Sequence, residues 1–186
     1  MSTTLTDELI RQAKEAAETA ERSRQQMLGA SERRAEAVFA LSVEGMPIRR
    51  IAEVTGVSPA VIQRLLEKAK SSRPYLGRRE ERVSYELHRA VAEKVSEDPQ
   101  AVFSKARTNL GSMAARVRGP HAQGWVSEWK ALVDAGDADR LVEVMLDPAE
   151  RGIDLRQMTP FAGVLTQAER LVAIHKAAAL TPDRAR

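Results

Sequence analysis

Apolar residues recur every three or four positions along most of the chain, which is the spacing of amphipathic helices. From Thr6 to Leu28 the apolar stripe is narrow and consists mostly of alanine. A fuller apolar face, which includes Val38 and Phe39, follows between Glu32 and Glu44. No convincing run alternates β-branched and polar residues as a half-buried strand would. The pattern therefore predicts an all-α protein.

Residues with capping or turn preferences predict where the helices begin and end. Gly29-Ala30 predicts a break in the first helical stretch, with Ser31 as the N-cap of the next helix. Gly45 follows that helix, in the position where a left-handed residue is favoured. The remaining predicted helices span 48–54, 59–70, 80–96, 99–117, 123–134, 138–146 and 167–180.

The same signals mark the helices of the second half. Asp98-Pro99 predicts a capped helix start, Asp147-Pro148 repeats that pair, and Gly119-Pro120 predicts a helix end. Thr166 and Glu169 form a predicted capping box for the last helix. The predicted organisation comprises an Ala-rich helical arm (1–29), a tri-helical helix-turn-helix domain (30–74), a basic linker (75–82), a helical bundle for dimerisation or partner binding (83–180) and a loose tail (181–186).

The segment Ile48–Glu67, IRRIAEVTGVSPAVIQRLLE, has the residue types that a helix-turn-helix requires. Two short helices cross steeply only if a small residue, here Ala52, lies where they touch. Gly56 then supplies the left-handed turn residue within Thr55-Gly56-Val57. Ser58 is a favourable N-cap and Pro59 occupies the first helical position. Four apolar positions fill the space beneath the pair: Ile51, Val57, Ile62 and Leu65.

This motif resembles the DNA-binding regions of resolvase-type recombinases and of many small bacterial repressors. The resemblance covers roughly 40 residues, including EGMPIRRIAEVTGVSPAVIQRLL, and implies a tri-helical module whose second helix enters the major groove. We expect base readout by the outward-facing positions of that helix: Ser58, Pro59, Ala60, Gln63 and Arg64. Gln63 can pair bidentately with adenine and Arg64 with guanine, whereas Pro59 and Ala60 offer only apolar contact.

Charge supports a polyanionic partner for the motif. The chain carries a net charge of +3, but residues 46–82 alone contain nine basic and four acidic side chains, a local excess of +5. Basic surfaces bind nucleic acid because neutralised phosphates release counterions. We expect phosphate contacts from Arg49, Arg50, Lys68, Lys70, Arg73, Arg78 and Arg79. A solvated helical surface would show a similar charge excess.

The second half is neutral overall, with an acidic stretch between residues 120 and 160. Trp125, Trp129 and Leu132 lie on one helical face and are expected to anchor the core. The stretch LRQMTPFAGVLTQAER, which starts at Leu155, is similar to a segment of small actinobacterial helix-turn-helix proteins found on mobile elements or beside toxin genes. That likeness implies a role as an antitoxin, with a toxin as the protein partner.

Several function classes find no support in the sequence. The chain has no cysteine, and His88, His121 and His175 are too scattered for a metal motif, so we expect neither an enzyme, nor a cofactor, nor a bound metal. Signal-peptide and membrane-spanning patterns are missing, which predicts a cytoplasmic, nucleoid-associated protein.

The prediction is a sequence-specific DNA-binding regulator, bacterial or phage, that represses transcription by occupying an operator and that could form a homodimer on double-stranded DNA. The alternatives are a DNA-reading assembly protein, such as a terminase small subunit or a partition factor, and an antitoxin with vestigial DNA binding. The Ala-rich arm could pack on the following domain, pair with a partner's helix or stay frayed.

Overall fold

The computed structural model describes residues 4–180, and within that range the chain forms nine α-helices and no strand. The all-α prediction is therefore confirmed, while the predicted loose tail at 181–186 lies outside the described residues. The helices are α1 (Leu5–Val43), α2 (Ile48–Thr55), α3 (Pro59–Ser71), α4 (Arg79–Glu97), α5 (Pro99–Arg116), α6 (Pro120–Ala135), α7 (Ala138–Met145), α8 (Glu150–Gln157) and α9 (Gln167–Ala179). The chain divides into two compact units, the first ending at Ser72 and the second beginning at Arg73.

The predicted break at Gly29-Ala30 is wrong, because α1 runs without interruption from Leu5 to Val43. A capping box opens it, in which Thr4 and Asp7 exchange side-chain and backbone hydrogen bonds. One interior glycine costs a helix only about 1 kcal/mol relative to alanine, and the neighbouring residues are strong helix formers. Gly29 is therefore absorbed into the helix, and Ser31 lies in its interior instead of capping a new one.

The core of the first unit lies where the last turns of α1 cover α2 and α3. Val38, Ile51, Ala52 and Ile62 are buried together, with six partly buried apolar residues around them: Leu41, Met46, Ile48, Val57, Leu65 and Leu66. The small side chain of Ala52 lets α2 and α3 approach closely. Gly45 follows α1 with a φ of 89°, as its predicted place at the helix end requires.

The second unit is built around α4, which packs against α5, α7, α8 and α9, while α6 packs on α5. Its core includes Trp129, Leu141 and Met145, none of which has exposed surface. The indole N–H of Trp129 donates to the Leu155 carbonyl over 2.9 Å, so the buried polar atom of this large ring is satisfied. Of the expected anchors Trp129 is the buried one, whereas Trp125 and Leu132 are half-buried at the edge.

Two helix starts in this unit differ from the prediction. Pro120 opens α6 instead of closing α5, because a proline lacks the N–H that a first helical residue leaves unpaired. Asp147-Pro148 does not open α8. The Asp147 carboxylate accepts from the Ala149 N–H, and Ala149 becomes the N-cap. The capping box between Thr166 and Glu169 is confirmed at the start of α9.

The segment 75–82, predicted as a basic linker, contributes to the second unit. Leu76 is buried, and α4 already begins at Arg79. The buried guanidinium of Arg82 donates to the carbonyls of Leu76 and Gly77 at 2.9 and 2.8 Å. These bonds hold the segment against the first turn of α4, which composition alone does not reveal.

None of the helices within residues 4–180 has both the length and the apolarity needed to cross a bilayer. Over the same residues, no three His, Asp or Glu side chains come together in a way that could hold a metal ion.

Candidate nucleic-acid interface

The turn between α2 and α3 has a left-handed glycine at its centre. Gly56 has φ 67° and ψ 26°, a conformation that costs a residue with a Cβ atom about 1 kcal/mol or more. Around it the Val57 N–H donates to the Ala52 carbonyl over 3.1 Å, and the Thr55 hydroxyl donates to the Ile51 carbonyl over 2.6 Å. These bonds satisfy the last carbonyls of α2 and fix the direction in which the chain leaves it.

The start of α3 is fixed by the residue that follows this turn. Ser58 has an extended backbone, and its hydroxyl oxygen accepts from the Val61 N–H at 3.4 Å while its carbonyl accepts from the same N–H at 2.9 Å. Pro59 occupies the first turn, where no donor is needed. Ala52 and Ile62 are buried between the two helices. The local geometry is that of two short helices joined by a tight turn, as the motif predicts.

The five residues predicted to read bases are all exposed: Ser58, Pro59, Ala60, Gln63 and Arg64. Ala60, Gln63, Arg64 and Glu67 follow one another at the spacing of a single helical stripe, on the side of α3 away from Ile62. From Pro59 to Glu67 this stripe is about 12 Å long, and a helix with its side chains is about as wide as a DNA major groove. The structure therefore brings these side chains together on one accessible face.

Arg64 is the cation at the centre of this stripe. Its Nε donates to the Ala60 carbonyl one turn earlier, over a long 3.4 Å. No ion pair involves Arg64 among residues 4–180, so its guanidinium keeps its terminal donors for a ligand. The nearby Glu67 also faces outward, as the helical spacing predicts, but no base contact is predicted for it. Its carboxylate repels a phosphate that approaches the stripe itself.

The residues of the first unit that are predicted to contact phosphates differ in their hydrogen-bond and ion-pair partners. Arg49 is exposed on α2, and Arg50 beside it pairs with Glu53 at 2.8 Å, with both side chains mostly in water. Exposed pairs at this spacing contribute only about 0.3–0.5 kcal/mol, so a phosphate can displace Glu53. The i, i+3 spacing of Arg50 and Glu53 could have revealed this pair from the sequence.

Two lysines lie in the second half of α3. The Lys68 ammonium donates to the Ser31 hydroxyl of α1 over 2.9 Å. This contact was not predicted, because Ser31 was expected to cap a new helix after a break at Gly29. Lys70 is exposed. Both keep donors for a backbone contact, since an ammonium group has three.

Arg73 was predicted to contact a phosphate, but its side chain is buried against a carboxylate of its own chain. Its Nε and one terminal nitrogen bind the two carboxylate oxygens of Glu86 at 2.6 and 3.0 Å, and the side chains are 2% and 1% exposed. A guanidinium that neutralises a buried carboxylate is not available to a phosphate. No local spacing indicates this partner, because Glu86 lies thirteen residues further on in α4.

Arg78 and Arg79 are exposed at the start of α4 in the second unit. Arg78 lies 3.8 Å from the Glu81 carboxylate, while Arg79 has no ion pair among residues 4–180. Both belong to the second unit, which begins at Arg73. Their predicted phosphate contacts stay predictions.

Arg156 is a buried cation of the second unit. Arg156 donates to the carbonyls of Met145 and Asp147 at 3.1 and 2.6 Å, and burial lowers its pKa. Its Nε and other terminal nitrogen are buried with no hydrogen-bond partner.

The second unit also has an open groove of about 630 Å³ between α6, α7 and α8, with Leu132 and Leu155 among its lining residues.

Comparison of the chain with protein-family models, with curated proteins and with solved structures finds no match in any of the three. Function is therefore inferred from the residues of this chain alone.

Proposed function

We propose that this protein is a sequence-specific DNA-binding regulator whose helix α3 enters the major groove and which acts by occupying an operator. The observation that carries the proposal is the exposed stripe of Ala60, Gln63 and Arg64 on α3, held by a turn with Gly56 in the left-handed region. A repressor of this kind works at the nucleoid.

The proposed base contacts follow from the donor and acceptor groups of the stripe. The Gln63 amide both donates and accepts, as N6 and N7 of adenine require, while the Arg64 guanidinium donates twice, as O6 and N7 of guanine require. Pro59 and Ala60 present only carbon to the groove, which suits the methyl group of thymine. The Ser58 hydroxyl stays at the edge, where the backbone phosphate runs.

The proposed phosphate contacts are those of Arg49, Arg50, Lys68 and Lys70. Arg49 and Arg50 lie on α2, and the two lysines lie on the second half of α3. Four neutralised phosphates predict that the logarithm of the affinity falls with the logarithm of salt concentration with a slope of about −3.6. This term gives affinity without sequence preference.

The test measures the affinity of the whole protein for short double-stranded DNA of mixed sequence, by fluorescence anisotropy at several salt concentrations. Replacing both Arg49 and Arg50 with alanine should lower the affinity and reduce the magnitude of the salt slope by about two. The matched control is Arg140→Ala, because Arg140 is also exposed and paired with a glutamate three residues later. Equal affinities of the wild type, the double variant and the control would contradict the proposal, as would failure of the wild type to bind DNA at low salt.

A further inference from the structure

The N-terminal arm, which we define as residues 5–34 of α1, presents large apolar side chains to solvent. Eight large hydrophobic residues are exposed within residues 4–180, and five of them lie on this arm. They are Leu5, Leu9, Ile10, Met27 and Leu28. Residue burial in α1 begins only at Ala35, so the arm extends about 45 Å without apolar cover. Long isolated helices seldom keep such a face unpaired in water.

The apolar and small residues of the arm follow a strict heptad spacing. Steps of four and three residues alternate without a fault through Leu9, Ala13, Ala16, Ala20, Ser23, Met27 and Ala30. All seven are exposed. This 3.5-residue period is that of a helix seam that pairs with another helix, and its alanines allow close approach of the two backbones.

Charge along the arm changes sign near its middle. Residues 4–21 contain five acidic and two basic side chains, a net charge of −3, whereas residues 22–34 contain four basic and one acidic, a net +3. Two parallel arms would place like charges side by side. Two antiparallel arms place each acidic half beside the basic half of the other copy. A second copy of this chain therefore complements the arm in both shape and charge.

We propose that the N-terminal arms of two copies pair as an antiparallel coiled coil centred between Glu21 and Arg22. In this register Ala16 faces Met27 of the second copy, while Ala20 faces Ser23, so small residues meet at the centre and a larger one follows on either side. Glu21 lies beside Arg22 of the second copy at the centre. The two helix-turn-helix motifs then lie at opposite ends of the paired arms. The inference goes beyond DNA binding and holds whether or not α3 reads bases.

The orientation is tested by disulfide trapping, for which the natural chain offers a cysteine-free background. One full-length variant carries Ala16→Cys, and another carries Met27→Cys together with a mass tag. The two are mixed, oxidised mildly and separated by mass. The proposal predicts the mixed crosslink between the two variants and little of either homodimer. Predominant homodimer crosslinks would show parallel arms, and no crosslink in any combination would show unpaired arms; either result overturns the proposal.

The seam itself is tested by sedimentation equilibrium without DNA. The double variant Ala16→Glu and Ala20→Glu places carboxylates in the seam and should weaken dimerisation about tenfold or more. The control Gln25→Glu adds a carboxylate on the opposite side of the same helix and should change the dimer affinity much less. Helical content by circular dichroism verifies that both variants fold. A monomeric wild type overturns the proposal, and so do equal dimer affinities of the seam variant and the control. If the arm of a monomeric protein binds a different protein instead, the proposal is overturned as well.

Discussion

The Nε2 atom of His88 in α4 lies 3.0 Å from the hydroxyl oxygen of Thr159, in the loop before α9. The other ring nitrogen, Nδ1, lies 2.7 Å from the Ser84 carbonyl, which can only accept, so Nδ1 carries the hydrogen. The Thr159 hydroxyl oxygen accepts from the Phe161 N–H and donates to Nε2. The imidazole is thus held in one neutral tautomer, beside the ring of Trp129.

This arrangement predicts that the second unit loses stability in mild acid. Burial lowers the pKa of His88 to about 4 from its usual 6.5, with a smaller contribution from the charge of Arg156. As the pH falls from 6.5 towards 4, the unfolded chain binds a proton at this position that the folded chain does not. The free energy of unfolding should therefore decrease across that window, by on the order of 3 kcal/mol at pH 4.

Urea denaturation at a series of pH values measures this effect, and His88→Gln provides the comparison. The variant should show a flatter pH dependence between 4 and 6.5 because its side chain does not titrate. If the wild type and the variant lose stability in parallel between pH 6.5 and 4, the pH dependence does not come from His88.

Gly152 in α8 is predicted to be irreplaceable by alanine. A Cβ atom there would lie 2.2 Å from the Asp147 carbonyl oxygen, which is backbone and cannot swing aside. Gly152→Ala should cost about 3 kcal/mol of unfolding free energy through the forced shift of the α7–α8 connection. The control is Gly124→Ala in α6, where nothing lies within 4 Å of the added atom and a gain of about 0.5–1 kcal/mol is expected. Similar effects of the two substitutions in chemical denaturation would refute the close approach.

Removal of Arg73 is predicted to destabilise the second unit without weakening DNA binding. Arg73→Ala leaves the Glu86 carboxylate buried without its bidentate partner and should cost about 3–5 kcal/mol. The double variant Arg73→Met with Glu86→Leu removes both charges and should recover most of that loss. Denaturation curves measure the stability, and anisotropy measures the affinity for DNA below the unfolding transition. If the double variant recovers its stability but binds DNA more weakly, Arg73 contacts a phosphate after all.

Arg64 and Arg49 are predicted to differ in what their removal does. Arg64→Ala should relax base preference, reducing discrimination by about 1–3 kcal/mol at one position, because its guanidinium lies in the middle of the exposed stripe. Arg49→Ala should weaken binding to all sequences alike, since a phosphate contact carries no sequence information. Affinities for a preferred duplex and for a scrambled one distinguish these effects. If each variant loses the same affinity for both duplexes, Arg64 does not contact a base.

The parts of the structure that sequence predicted well are those set by local chemistry. Gly56 and Ser58 fix the turn by their own backbone and side-chain preferences, and Thr166 with Glu169 forms a capping box from residues three positions apart. The burial of Ile51 and Ile62 follows from their spacing. Each of these features needs only neighbouring residues for its explanation.

The parts that sequence missed depend on distant residues or on small energies. Gly29 was predicted to break a helix, but its cost of about 1 kcal/mol is less than a long run of strong helix formers can offset. The partner of Arg73 lies in another helix, and the burial of His88 depends on Trp129 and Phe161 far along the chain. Only the packed fold shows which charged or titratable groups are withdrawn from solvent.

Whether α3 reads DNA is decided by selecting bound duplexes from a random pool with the full-length protein and sequencing them. We expect enrichment of a short motif containing guanine and adenine at adjacent contact positions, and loss of that enrichment when Gln63 and Arg64 are both replaced with alanine. Recovery of a pool without sequence preference, or of the same motif with the double variant, would contradict this expectation.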